Sequence, residues 1–130
     1  MHIEQETRGS HGVIRVSGMA TAGEGANTLS DALAGAEKNA GSIVIDAADL
    51  RHMDSTALGV LVGSMRRLHA EGREVCLVQP GQRIVLLLQL THLDALFPTY
   101  ATVADAIAAL DRRTDSGGVP LANRNRRDDV

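Results

Sequence analysis

Aromatic side chains are almost missing from this 130-residue chain, which has Phe97, Tyr100 and no tryptophan. Proteins that hold single-stranded nucleic acid rely on aromatic stacking faces, and this sequence cannot supply them. Positive charge is also in short supply. There are 13 Lys and Arg against 16 Asp and Glu, a net charge of −3, so the basic footprint of a nucleic-acid binder is absent. No apolar run approaches the roughly 20 residues that a membrane span needs. Residues 1–6 lack the basic and apolar succession of a signal peptide, which leads us to expect none. One cysteine, Cys76, excludes an internal disulfide and fits a reducing, cytoplasmic setting. Its place in a short apolar run marks it as a core residue rather than a nucleophile.

What is present is ordinary: 44% hydrophobic and 22% charged, as in a globular protein. The length suits one domain with a core of its own. Without aromatics, aliphatic and small side chains must fill that core. Residues 3–7 and 13–16 read as strands of a hairpin around a turn-forming stretch, 8–12. A small-residue loop, 18–25, precedes a helix expected to be capped near Asn27 or Thr28 and to end near Gly41. Residues 42–46 read as a short, almost wholly apolar strand, suited to burial on both faces of a parallel sheet. After a connector, 47–53, Leu58, Leu61, Val62, Met65 and Leu68 recur at helical spacing. A strand at 75–78, a helix at 82–90, a short strand at 97–100 and a helix at 102–110 complete the pattern. This alternation predicts an α/β fold: a mixed, mainly parallel sheet with an antiparallel N-terminal edge, packed with about four helices. The domain is expected to occupy 1–110, with 111–130 a polar, disordered tail.

The usual catalytic and metal motifs are missing: no HExxH, CxxC or phosphate loop is found. Gly23-Glu24-Gly25 lacks the third glycine of a dinucleotide fingerprint. The histidines, His2, His11, His52, His69 and His92, show no ligand spacing and are expected in loops or at the surface. Asp46 closes the buried strand in this reading, as a phosphoryl-accepting aspartate would. However, the segment after the second strand has no carboxylate pair to hold the required cation, so Asp46 is expected to shape a loop instead. Asp54-Ser55-Thr56 carries more information. Each residue type can cap a helix, yet one cap suffices, so at least one hydroxyl should face solvent. Phosphorylation there would add a charge of about −1.5 to −2, which the helix start tolerates and a docked partner does not. Gly59 and Gly63 follow Ser55 by one and two turns. They serve either close approach of a partner or close packing against the protein's own sheet.

The chain resembles the bacterial STAS-domain anti-sigma factor antagonists. The resemblance is carried by Ile43-Val44-Ile45-Asp46, by Met53-Asp54-Ser55-Thr56-Ala57-Leu58-Gly59-Val60-Leu61-Val62-Gly63, by Arg83-Ile84-Val85 and Thr91-His92-Leu93, and by Leu96-Phe97-Pro98. It implies a STAS-like single domain whose unmodified form binds an anti-sigma factor with serine kinase activity and so releases a sigma factor. The kinase would phosphorylate Ser55, Asp54 would aid recognition, Thr56 would be a secondary or capping hydroxyl, and a phosphatase would restore the free serine. The nucleotide and metal belong to the kinase, so no cofactor or metal is expected in this chain, and no nucleic-acid or membrane partner.

Four positions depart from the family pattern. Ala57 stands where glycine is usual. Thr21, with Glu24 beyond it, replaces the acidic partner-contact residue after the second strand. His92 takes a place where glycine is common. Leu86 lies where relatives often carry a charge, which suggests a contact surface for a weak homodimer. The alternative function is a scaffold STAS domain that assembles with others and is never phosphorylated. A hydrolase using Ser55 lacks an oriented base, since His52 has no evident partner.

Overall fold

Short apolar strands alternating with amphipathic helices produce one sheet between two helix layers in the computed structural model, which describes residues 1–21 and 23–115. The elements are β1 (His2–Arg8), β2 (His11–Ala20), α1 (Glu24–Asn39), β3 (Ile43–Met53), α2 (Ser55–Ala70), β4 (Val75–Val78), α3 (Gln82–Leu90), a 3-10 turn (Asp94–Leu96), β5 (Thr99–Tyr100) and α4 (Val103–Asp115). The sheet order is β1-β2-β3-β4-β5, with β1 antiparallel to β2 and the other pairs parallel. Every crossover steps the same way across the sheet. Right-handed connections then put α1, α2 and α3 on one face. Their apolar residues, among them Leu29, Leu33, Leu61, Leu68, Ile84 and Leu88, join Ile14, Ile43, Ile45 and Leu77 in the larger core. The smaller core on the opposite face packs Val103, Ala106 and Leu110 of α4 on Val13, Val44, Cys76 and Val78. Cys76 is thus a core residue, as its sequence position implied.

Several boundaries differ from the sequence reading. β3 does not stop at Asp46 but runs on to Met53, and β2 runs to Ala20. Beyond the end of β4 these two strands still pair, through Ser17↔Asp49, Gly18↔Leu50, Met19↔His52 and Ala20↔Met53. Two register shifts in this stretch break the alternation of side chains, so its apolar pattern reads as a connector. Asp46 therefore lies inside a strand. Its Oδ1 accepts from the Ala48 N–H at 3.2 Å, and its Oδ2 lies 3.6 Å from Arg15. Helix α1 starts at Glu24 rather than near Asn27 or Thr28. Its N-cap is Gly23, at φ 85, and Thr28 instead bonds back to the Glu24 carbonyl at 2.7 Å. The early start depends on buried Gly25, where a Cβ would stand 2.9 Å from the Met19 carbonyl oxygen. β5 is shorter than expected, Thr99–Tyr100 rather than 97–100.

Helix α4 continues past Leu110 to Asp115. His11, expected at the surface, is buried and holds this extension. Its Nδ1 accepts from the Ser42 N–H at 3.1 Å, so the ring proton sits on Nε2, 3.0 Å from Asp111 Oδ1. The rest of the expected tail, 116–130, lies outside the described residues.

Polar contacts lock α1 to α2. Glu37 accepts from the buried Ser64 hydroxyl at 2.8 Å and from Arg67 at 2.7 and 3.0 Å. Arg73 Nη1 donates to the carbonyls of Glu37, Ala40 and Gly41, closing the carboxyl end of α1. The Arg67 hydrogen bonds, and secondly the Ser64 hydroxyl, hold the Glu37 carboxyl below its ordinary value of 4.5. A carboxylate lowered on folding stabilises the native state above its unfolded value, and that contribution fades as pH falls through the folded value. Glu37→Gln is therefore expected to flatten the fall of Tm with acidification below about pH 4.5, measured as parallel thermal melts of parent and variant. Since Arg67 is well exposed, solvent screening keeps the effect modest.

Helices α2 and α3 end alike. At α3, Leu93 N–H reaches the Leu88 carbonyl and His92 N–H that of Gln89; at α2, Arg73 reaches Leu68 and Gly72 reaches His69. Both are Schellman closures with a left-handed residue, at φ 74 for Gly72 and φ 59 for His92. Glycine adopts that conformation freely, whereas histidine pays about 1–2 kcal/mol. After the extra unfolded-state entropy of glycine is subtracted, His92→Gly is expected to gain about 0.5–1 kcal/mol. That is roughly 2–5 °C in Tm, readable by calorimetry.

Candidate functional site

The parallel pairing of β2 and β3 ends at Ala20↔Met53, so Thr21 and Asp54 leave the sheet side by side. The Asp54 N–H donates to the Ala20 carbonyl at 3.0 Å and ties the start of α2 to the end of β2. Thr21 is half-buried, and its carbonyl accepts from the Ala26 N–H at 2.8 Å. Glu24 is exposed in the first turn of α1. The starts of α1 and α2 therefore share the carboxyl edge of the sheet, where α/β folds present their binding groups. Thr21, Glu24, Asp54, Ser55 and Thr56 are brought to that edge from separate parts of the chain.

Within α2 the three polar residues have divided roles. Asp54 is the N-cap, and its Oδ1 accepts from the Ala57 N–H at 3.0 Å. Its carbonyl accepts from Leu58 at 2.9 Å, the first bond of the helix. With Asp54 capping, the hydroxyls of Ser55 and Thr56 are not needed for that purpose. Both residues are exposed, and neither side chain has a hydrogen-bond partner among the described residues. Ala57, where glycine was the expected family residue, is fully buried with its methyl in the larger core, so a side chain there anchors the first turn.

The two readings of the glycines are separated by what a Cβ would meet. At Gly59 it would meet nothing within 4 Å, and Gly59 is exposed. At Gly63 it would meet only Arg67 Nη1, at 3.3 Å. Neither glycine is required for packing against the sheet. Together with Ser55 they leave a low strip along the outer surface of α2.

Sequence reasoning missed Gly25 and the Ala20 carbonyl, which set where α1 and α2 begin. The sequence reading places Gly25 in the small-residue loop, because the close approach of the Met19 carbonyl that only glycine admits is not visible in the sequence. The Ala20 contact has no sequence signal, because it depends on the extended β2–β3 pairing. His52 is half-buried on β3, opposite Met19. Among the described residues no cluster of three or more His, Cys, Asp or Glu side chains is arranged to hold a metal ion. No described helix is long and apolar enough to cross a membrane.

The chain is similar to known proteins in sequence and in fold. The family model of the STAS domain matches residues 2–106. A Thermotoga maritima protein, named as a candidate anti-sigma factor antagonist, is 29% identical over 76 residues, covering 58% of this chain and 67% of that one. The crystal structure of an anti-sigma factor antagonist from Mycobacterium paratuberculosis is 27% identical and superimposes with a TM-score of 0.71, covering 85% of this chain and 93% of that one. The phosphorylated form of the Bacillus cell fate determinant SpoIIAA shares the fold, with a TM-score of 0.67 at 23% identity, over 83% of this chain and 98% of that one.

Proposed function

From the premise that the chain belongs to the STAS domain family, we propose that it is a phosphorylation-controlled anti-sigma factor antagonist acting in the cytoplasm. The unmodified protein binds an anti-sigma factor with serine kinase activity, and that binding frees a sigma factor. Phosphorylation of Ser55 ends the complex, and a phosphatase resets it.

The observation that carries this reading is the division of labour at the start of α2. Asp54 makes the cap, so the Ser55 hydroxyl is left exposed and unengaged. A kinase can reach it without unfolding the helix. The resulting dianion sits at the positive end of α2, so the isolated fold accepts it. A partner lying over Asp54, Gly59 and Gly63 would meet that dianion beside an existing carboxylate and be repelled. Thr21 and Glu24, on the same edge, extend the partner-contact surface. Thr56, exposed beside the acceptor, is a secondary hydroxyl. SpoIIAA, which shares this fold, exists in a phosphorylated form.

The test uses the chain as bait in lysate, followed by ATP addition and mass mapping of any phosphate. Recovery of an anti-sigma factor with kinase activity, with modification at Ser55, is the expected result. Phosphate on another residue, or none in the presence of such a kinase, overturns the site assignment. Recovery of other STAS domains alone supports the scaffold reading instead.

A further inference from the structure

Helix α3 buries Ile84 and Leu88 and turns Gln82, Arg83, Leu86, Gln89 and Leu90 outward. Leu86 and Leu90 are 54% and 70% exposed, one turn apart on the same face. Such a pair costs solvation in a lone molecule and gains it when covered. The charges at the two ends of α3 indicate what covers it. Its only charged residue, Arg83, lies in the first turn, where the helix dipole disfavours a cation. The last turn has no basic residue, and the exposed acid Asp94 follows just beyond the helix. Neither Arg83 nor Asp94 has an ion-pair partner among the described residues.

We propose that two copies of this chain associate weakly through α3, antiparallel across a two-fold axis, with Leu86 and Leu90 at the centre. In that arrangement Leu86 of each copy meets Leu90 of the other. Arg83 of each copy reaches the carboxyl end of the opposing α3 and its Asp94. Both wrongly placed cations then lie at favourable helix ends, and both acids gain a partner. A parallel arrangement would instead set Arg83 against Arg83, so the charges select the antiparallel one. The central patch is much smaller than a standard interface of about 800 Å² per partner, so the association is weak, with a dissociation constant on the order of 0.1–1 mM. This inference does not rest on the Ser55 reading.

Sedimentation velocity of the full chain from about 10 μM to 1 mM, a range that reaches that constant, tests it. The expected result is a concentration-dependent rise of the weight-average coefficient towards the dimer. Leu86→Glu and Leu90→Glu should each abolish the rise. Arg83→Glu should weaken association about tenfold, and Arg83→Glu combined with Asp94→Arg should restore it. All four positions are exposed, so the variants should stay folded with a Tm within a few degrees of the parent's, Arg83→Glu slightly higher and Leu90→Glu slightly lower as the helix dipole requires. A monomer at every concentration overturns the proposal and leaves the face to a different partner. So does a dimer insensitive to Leu86→Glu, or a charge reversal that the second substitution does not rescue.

Discussion

Ser55→Asp should weaken binding to the anti-sigma partner about a hundredfold, or 2–3 kcal/mol, while leaving the Tm of the free protein nearly unchanged. The asymmetry follows from where the side chain stands. In the free protein the residue is exposed in the first turn of α2, and the helix dipole favours an added negative charge there. In the complex, two adjacent carboxylates, Asp54 and the new one, would have to lose water against the partner surface. Ser55→Ala removes the acceptor without adding charge, so it should bind like the parent and stay bound when ATP is added. Titration calorimetry on the three proteins, with thermal melts alongside, separates lost binding from lost folding. A Ser55→Asp variant that binds as tightly as the parent would contradict repulsion as the switch. Equal ATP-driven release of Ser55→Ala would assign the acceptor to another hydroxyl, Thr56 being the nearest.

The largest loss of stability is expected at Phe97. It is the chain's one phenylalanine, is 1% exposed, and lies in the larger core with Leu77, Ile84 and Leu88. Phe97→Ala removes its transfer free energy and leaves a cavity, a cost of about 3–5 kcal/mol. Domains of this kind have about 5–15 kcal/mol in total, so the variant should unfold at lower denaturant, with a midpoint reduced by roughly a fifth or more. Phe97→Leu keeps most of the volume and should cost only about 1–1.5 kcal/mol. The contrast tests whether an aliphatic core is loose enough to close around a missing ring. Nearly equal midpoints for the two variants would show that it is. The substitution lies outside the Ser55 surface, so any remaining folded Phe97→Ala protein should bind the partner normally.

Much of this was readable from the chain because the signals are local. Apolar runs at Ile43-Val44-Ile45 and Val75-Cys76-Leu77-Val78 announce strands buried on both faces, and both are. The spacing of Leu58, Leu61, Met65 and Leu68 defines the buried face of α2. The excess of capping residues at 54–56 implied a spare hydroxyl, and the structure leaves two. His92 announced its left-handed backbone only through the resemblance, since histidine itself carries no such signal.

The rest depended on contacts between distant segments. The second half of β3 contains Asp49, Arg51 and His52, and no local rule makes it a strand; it becomes one because bulged β2 lies alongside. That pairing carries Thr21 to the side of Asp54 and brings the start of α1, with Glu24, to the same sheet edge. His11 read as a turn residue because nothing near it in the sequence foretells Ser42 on one ring nitrogen and Asp111, 100 positions away, on the other.

Composition and periodicity by themselves therefore determined the class of fold, the order of its elements, the aliphatic character of its core and the spare hydroxyl at 54–56, of which the family resemblance singled out Ser55. Those properties are set by neighbours within a few residues along one chain segment. Only the tertiary structure decided that Asp54 alone serves as the cap, that Gly59 opens to solvent, and that α3 turns two leucines outward between an uncompensated cation and an uncompensated acid. Whether a side chain is covered or bare depends on segments far away in sequence, and periodicity does not encode which of them arrive.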